Sequence, residues 1–449
     1  MPYRFLANVN LIFFAQVVNR FLLFITSIII ARGLGPEVRG DYALFVLSVM
    51  LIATLGSLGA GLGSTYYVGK RKYDVRVLLG NSQFLVLVVS GLTAAVLAGI
   101  GLALEPRAFV EGRSFWLYAF AIPVMLEFVL VTAILLGSER FLALNLSAVS
   151  QALLLVIGIA VLWIGDWISI FSALSVWILS YAAGTALALA SVGFGQLSLK
   201  RAVRADMRVL KEQVRFGLPG QAGNTLTRLN YRMDQYIVRA FRSRADVGIY
   251  AVAAGLAEAV WWIANAVSMA LLPRLTRMGS ERAGEVTPVA CRNTLLMSLL
   301  AAGGLAAVAP VAVEVLFGKD FGPAVRPIFW LLPGIVALSG TKVLASYFFS
   351  QARLTVVSMV SLLSLVATLA FDFLLIPKFG ISGAAAASSI AYSVSFAVAL
   401  FFYQQMSRNS AWSCVFPRVT DIELYLNVVR RLRGMRAPAA ADGTAAPPA

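Results

Sequence analysis

Apolar residues run through this chain in stretches of twenty and more, separated by short polar connections, and the pattern recurs from one end to the other. A helix needs about 20 mainly apolar residues to cross the hydrocarbon core of a bilayer. Twelve stretches meet that length: 6–31, 42–68, 79–104, 114–137, 141–164, 168–194, 215–240, 247–272, 292–317, 326–350, 354–376 and 379–405. Backbone polar groups in lipid have to be satisfied within the segment itself, so each stretch reads as an α-helix. The pattern predicts an all-α integral membrane protein with twelve transmembrane helices. The first stretch is too long for a signal-peptide core and has no clear cleavage site, so it counts as a span.

Composition sharpens this picture. Of the 449 residues, 60% are apolar and 13% charged, about half the ~25% charged share of a soluble domain. A soluble enzyme is excluded. The net charge is +16, but most Lys and Arg sit in the connections between spans, where they set topology rather than bind nucleic acid. With a cytoplasmic amino terminus, 23 of the 37 basic residues fall in cytoplasmic segments and 10 outside. Both termini are therefore expected in the cytoplasm, although Arg239, Arg242 and Arg244 break the rule locally. Histidine is absent, which removes imidazole proton shuttles, Ser/His triads and His metal sites. Cys291 and Cys414 are too few and too distant in sequence for a disulfide framework or a zinc site. Without a phosphate-binding Walker loop, ATP does not drive the chain directly. No metal or cofactor is expected.

Residues 197–214 place Leu199, Val203, Met207, Leu210 and Val214 at helical spacing among Lys and Arg, which predicts an amphipathic surface helix. It divides the chain into an N-terminal lobe of six spans (1–195), a linker (196–214), a C-terminal lobe of six spans (215–406) and a basic amphipathic segment with a disordered tail (407–449). The lobes share a repeat. A shift of 208 places Arg20 on Arg228, Gln16 on Asn224, Gly40 on Gly248 and Tyr42 on Tyr250; a shift of 213 places Arg140 on Arg353 and Ser169 on Ser382. Two like-oriented lobes related by an axis along the membrane normal predict a central cavity near the midplane.

An ionisable side chain at bilayer depth costs at least ~2.5–3.5 kcal/mol, so each one asks for a partner or a cavity. On the seventh span Gln221, Asn224, Arg228, Tyr231, Arg232 and Gln235 recur at spacings of three and four, which puts them on one stripe that does not face lipid. Joined by Arg20 on the first span and Lys342 on the tenth, this stripe predicts a cationic cavity for an anionic substrate. Guanidinium forks match phosphate oxygens. In the other reading these cations pair with Asp234, Glu258 or Asp372 and hold the lobes together. Trp261 and Trp262 on the eighth span offer flat faces for sugar rings, or else pack against lipid. Asp234, Glu258 and Glu127 are the candidates for charge pairing or ion coupling.

Several segments carry a family resemblance. FGLPGQAGNTLTRLNYRMDQYIV at 216–238, VGIYAVAAGLAE at 247–258, LLPRLTR at 271–277, IARGLGPEVRGDYAL at 30–44, LFGKDFGPAVRPIFWLL at 316–332 and IPKFGISGAAAASSIAY at 376–392 resemble the polysaccharide transporter (O-antigen and exopolysaccharide flippase) branch of the multidrug/oligosaccharidyl-lipid/polysaccharide exporter superfamily. The resemblance implies two six-helix lobes around a cavity open to alternate sides, in the bacterial inner membrane. It implies as cargo an undecaprenyl-diphosphate-linked glycan flipped to the periplasmic leaflet for O-antigen, capsule or exopolysaccharide assembly, with membrane lipid, a polysaccharide polymerase and glycosyltransferases as partners. Arg232, Asp234 and Gln235 fall in its Arg/Asp/Gln segment; Pro219, Gly248, Tyr250 and Pro273 resemble its structural marks. A drug or metabolite/cation antiporter of the same superfamily is the alternative, and it would depend on Asp234 or Glu258 rather than on Arg228. A membrane enzyme such as a glycan polymerase would need a sizeable outside loop, which this chain lacks.

Overall fold

The computed structural model describes residues 2–103, 116–193 and 205–416, together with Asp421. Among the described residues every regular element is helical. Pro2–Gly56 carries the first two spans and breaks at Gly35, where φ 72 and ψ 175 leave the helical region before Pro36. Glycine adopts that backbone without a Cβ clash, and the fixed φ of proline suits a first helical position. Ala60–Gly69 prolongs the second span. Spans three to six are Val75–Ala103, Tyr118–Gly137, Phe141–Ile164 and Ile170–Val192. Met207–Phe241 is the seventh, and Arg244–Ala257 with Trp261–Arg277, joined by a tight turn at Glu258–Val260, is the eighth. Ser280–Phe317, Val325–Ser350, Leu354–Phe379 and Ile381–Ser407 complete the set.

Ten helices are long and apolar enough to cross a membrane among the described residues. The first of them, Phe14–Gly56, makes two crossings, and the seventh helix falls outside that number because of its own charged stripe. Twelve crossings result. The first span therefore begins and the twelfth ends on one side, here the near end, which carries the 70–74 and 138–140 connections and the start of the seventh helix at Asp206. Gly35, 165–169, 242–243 and 318–324 lie at the far end.

One expected boundary moves. Residues 207–214, expected within a separate surface helix, form the first turns of the seventh span. Asp206 sets that start: its carboxylate accepts from the backbone N–H of Arg208 and Val209 at 3.0 and 3.1 Å, a standard N-cap. The apolar face expected on lipid packs on the N-terminal lobe instead, with Val209, Leu210 and Gln213 all buried. Residues 196–204 and the amphipathic stretch 422–436 lie outside the described residues.

The lobes meet along seams built from close glycine contacts. At the far end a Cβ on Gly40 would stand 2.1 Å from the Arg244 carbonyl oxygen, and one on Gly248 2.0 Å from that of Pro36. These two glycines, equivalent by the sequence repeat, face each other across the pseudo-two-fold axis. Arg244 also reaches Asp41 at 3.1 Å and Glu37 at 3.5 Å, and Arg32 donates to the carbonyls of Val315 and Leu316 on the ninth span. At the near end Gly59 meets Gly217, and Gly63 meets the backbone of Gln213. Gln213 donates to Ser64 at 2.8 Å and accepts from Asn81 at 2.7 Å, while Glu212 accepts from Lys72 and Tyr73, both at 2.7 Å.

Within the C-terminal lobe the run Ala384, Ala385, Ala387, Ser388 and Ala391 is buried, and small residues let the tenth and twelfth helices approach closely. Beyond the twelfth span, Asp421 binds Arg292 through two contacts of 2.5 and 2.7 Å. Cys291 and Cys414, distant in sequence, sit buried in one apolar cluster beside that ion pair, both as free thiols.

Gly217→Val would drive a side chain into the Gly59 carbonyl. Carbodiimide coupling of Lys72 to Glu212, read by peptide mass spectrometry, is expected to fall severalfold in this variant; an unchanged yield would mean that the near-end seam does not depend on the glycine contact.

Candidate functional site

The cations that the sequence places in the membrane gather between the lobes. Arg20 and Gln16 on the first span are exposed, as are Asn224 and Arg228 on the seventh. An exposed guanidinium at that depth requires water around it, and each of these arginines acts electrostatically on the opposite lobe: Arg20 on Lys342, and Arg228 on Tyr181. Arg20 and Arg228 are equivalents in the sequence repeat, one on each lobe, and each acts across the crevice between the lobes.

Arg232, one turn further along, has a partner. Its two terminal nitrogens donate to the two oxygens of Glu258 at 2.7 and 2.8 Å, so seventh and eighth spans are clamped by a forked ion pair with modest exposure on both sides. Its charge is spent on Glu258. Lys342 takes another arrangement: its ammonium lies 5.0 Å from the Trp261 ring centroid and 5.5 Å from that of Tyr231. Those rings are 4.9 Å apart, and Tyr392 closes the cluster at 5.9 Å from Tyr231 and 6.0 Å from Trp261. Trp262 is 43% exposed and lies outside this cluster. Adjacent helical residues are about 100° apart, so the two tryptophans do not form one platform.

Asp234 points away from the arginine stripe into the C-terminal lobe, where it accepts from Tyr250 at 2.6 Å and Ser388 at 3.3 Å. Gln235 is buried beside it, with its Oε1 lacking a donor. A second polar group lies on the same helix: Asn230 donates to Ser364 at 2.9 Å and accepts from Thr368 at 2.7 Å. One turn beyond Thr368, Asp372 is fully buried, and neither carboxylate oxygen has a hydrogen-bond partner among the described residues. Asp234 acts on Asp372 electrostatically, which brings two carboxylates together in this lobe. The repeat puts Thr26 and Ile159 at the corresponding N-terminal positions, so the acidic pair belongs to one lobe only. Glu127, in the fourth span, stands apart from both groups with a buried, unpartnered Oε1.

Sequence reasoning missed two members of this region. Tyr392 ends the small-residue segment 376–392 and carried a signal only as part of that segment. Asp372 entered only as one of three acids available to the arginines. No group of three or more metal-ligating side chains occurs among the described residues.

With this geometry in hand, the relatives are informative. A family described as polysaccharide biosynthesis protein matches residues 5–279. No curated protein matches the sequence. Among solved structures, an inward-facing multidrug resistance MATE family transporter of the MOP superfamily superposes with a TM-score of 0.73 at 14% identity, over 87% of this chain and 94% of that one. The lipid II flippase MurJ in an inward closed conformation gives 0.68 at 13% identity, over 94% and 99%. A MOP superfamily transporter from Pyrococcus furiosus, noted for the reversed polarity of its binding pocket, gives 0.56 at 14%, over 89% and 96%. At these identities the likeness is one of fold.

The Arg232–Glu258 clamp makes a prediction. Removing one partner of a partly buried pair leaves an uncompensated charge, which costs about 3–5 kcal/mol when burial is complete and less here. Arg232→Ala alone is expected to lower thermal stability in detergent, and Arg232→Ala with Glu258→Ala to regain most of the loss. Additive losses in that double-mutant cycle would contradict the clamp.

Proposed function

We propose, proceeding from the fact that this chain belongs to the polysaccharide biosynthesis protein family, that it flips an undecaprenyl-diphosphate-linked oligosaccharide from the cytoplasmic to the periplasmic leaflet of the bacterial inner membrane. The protein is a multi-pass membrane transporter of the MOP fold, and the cargo is our reading. The observation that carries it is the pair Arg20 and Arg228, each exposed, each acting electrostatically on the other lobe, and with no acidic partner among the described residues. Two guanidinium groups and the nearby Lys342 suit the oxygens of a diphosphate, since charge-assisted forks to phosphate are the strong hydrogen bonds available in a low-dielectric site.

The bias of Lys and Arg to the near end makes that end cytoplasmic. At the far end, both the second-to-eighth and the first-to-ninth seams are bonded, through Arg244 and Arg32 respectively. At the near end the bonded seam is the second-to-seventh. This arrangement suits a cargo-accepting state facing the cytoplasm. Rocking the lobes would exchange which end is sealed while the lipid tail stays in the bilayer. The flipped glycan then passes to a polymerase for O-antigen, capsule or exopolysaccharide assembly, and cytoplasmic glycosyltransferases supply it.

The buried acids bear on the antiporter alternative. Glu258 is occupied by Arg232, and Asp234 and Asp372 lie off the crevice, so the free acidic groups suit ion coupling better than capture of a cationic drug. In our reading Asp234 and Asp372 take up a proton or sodium ion that resets the cycle.

In a flippase-null bacterium, wild type is expected to restore surface polysaccharide, and Arg20→Ala or Arg228→Ala at matched protein levels to lower it at least tenfold. Arginine variants that match wild type would overturn the anionic-cargo reading. For coupling, Asp372→Asn is expected to fold normally and to abolish the response of transport to an imposed ion gradient. A full response in that variant would remove Asp372 from the coupling step.

A further inference from the structure

Lys342 occupies an unusual position for a cation beside a crevice that also holds Arg20 and Arg228. Its ammonium rests on the faces of Trp261 and Tyr231, held by the ring quadrupoles and drawn by the charge of Glu258, while Arg20 repels it. Trp261 is only 6% exposed, with the lysine ammonium and the rings of Tyr231 and Tyr392 all within about 6 Å of its ring centre. Yet its buried Nε1–H has no hydrogen-bond acceptor among the described residues. Buried indole N–H groups ordinarily find one. A flat aromatic surface with an unused donor, covered by the most mobile side chain of the group, has the makings of a site closed by a plug.

We infer that Lys342 is a displaceable cover on a sugar-binding platform formed by Trp261 and Tyr231, and that an arriving diphosphate uncovers it. This rests on the flippase reading of the crevice. Lysine is a compact point charge on a flexible four-carbon stem. The oxygens of a diphosphate held by Arg20 and Arg228 attract it more strongly than the ring faces do, because a charge-assisted bond to phosphate exceeds attraction to a quadrupole. Once the ammonium swings to the phosphate, the exposed ring faces meet the C–H face of the adjoining pyranose, and the Trp261 N–H gains a sugar hydroxyl as acceptor. The order has a consequence for selectivity. A free sugar faces a covered platform, and a diphosphate without sugar leaves the opened platform wet, so only the linked molecule satisfies both halves. Binding of the two parts is thereby positively coupled, and the coupling is reciprocal.

The test uses the full chain in lipid nanodiscs, with tryptophans replaced by 5-fluorotryptophan and the Trp261 resonance assigned from Trp261→Phe. The probes are citronellyl diphosphate and citronellyl-diphospho-N-acetylglucosamine; any pyranose offers a C–H face, so the choice of sugar is not critical. In wild type, citronellyl diphosphate is expected to shift the Trp261 fluorine resonance. In Lys342→Met the unliganded resonance should already sit near the shifted position and move little further. By calorimetry the glycosylated probe should bind wild type about tenfold tighter than the unglycosylated one. Trp261→Ala should erase that difference. Citronellyl diphosphate that binds without moving the Trp261 resonance, or equal affinities for the two probes, would overturn the plug and leave the flippase reading standing. Failure of both probes to bind, or undiminished binding in Arg20→Ala with Arg228→Ala, would overturn the two together.

Discussion

A cation in the hydrocarbon layer must find water or a counter-charge, and the arrangement of this protein around its midplane follows from how four basic side chains meet that demand. Arg232 meets it with Glu258, Lys342 with the faces of Trp261 and Tyr231, and Arg20 and Arg228 with the open crevice between lobes. Each solution constrains a helix. The forked pair fixes the eighth span against the seventh. The ring contacts fix the tenth against both, and the arginines without an acidic partner among the described residues require that first and seventh spans not close fully upon lipid. Packing Arg20 and Arg228 against lipid without water would leave two charges at a cost of at least ~2.5 kcal/mol each, so their place in the spans calls for a solvated crevice.

The lobe seams follow a different rule, that of close backbone approach. Hydrophobic burial gives no drive between helices that are already in lipid, so small residues and polar bonds decide where they meet. Gly40 against Gly248 and Gly59 against Gly217 leave no room for a side chain. Arg244 with Asp41 and Lys72 with Glu212 then tie those approaches at the two ends. The near-end contact also explains why the seventh helix begins so early: its first turns form one wall of the seam, with Gln213 bonded to Ser64 and Asn81. The unpartnered carboxylate of Asp372 is the counterpart of this economy, a group left unsatisfied inside one lobe while its repeat equivalent is isoleucine.

Much of this was legible in the residues alone. The twelve spans follow from length and hydropathy; the shift of 208 pairs Gly40 with Gly248, but only the structure shows that the two approach each other closely. The polar stripe on the seventh span was readable because helical periodicity fixes which residues share a face. Periodicity does not say which neighbour that face meets. The capture of Arg232 by Glu258, the seating of Lys342 on two rings and the contribution of Tyr392 depend on helix packing between segments far apart in sequence. Residues 207–214 were assigned to the membrane surface because an amphipathic pattern is the same whether its apolar side meets lipid or protein. Trp262, by contrast, was separable in principle, since its neighbour Trp261 points about 100° away on the same helix.

The central claim is that the cationic crevice carries a diphosphate-linked glycan across the bilayer, and transbilayer movement is its most direct measure. Proteoliposomes would hold a fluorescent polyprenyl-diphosphate oligosaccharide, with arrival at the opposite leaflet read by quenching from outside. The account predicts protein-dependent movement of the diphosphate-linked glycan, its loss in Arg228→Glu, and little movement of the same glycan on an uncharged polyprenyl carrier. Movement no faster than in protein-free vesicles, or equal movement of charged and uncharged carriers, would contradict it.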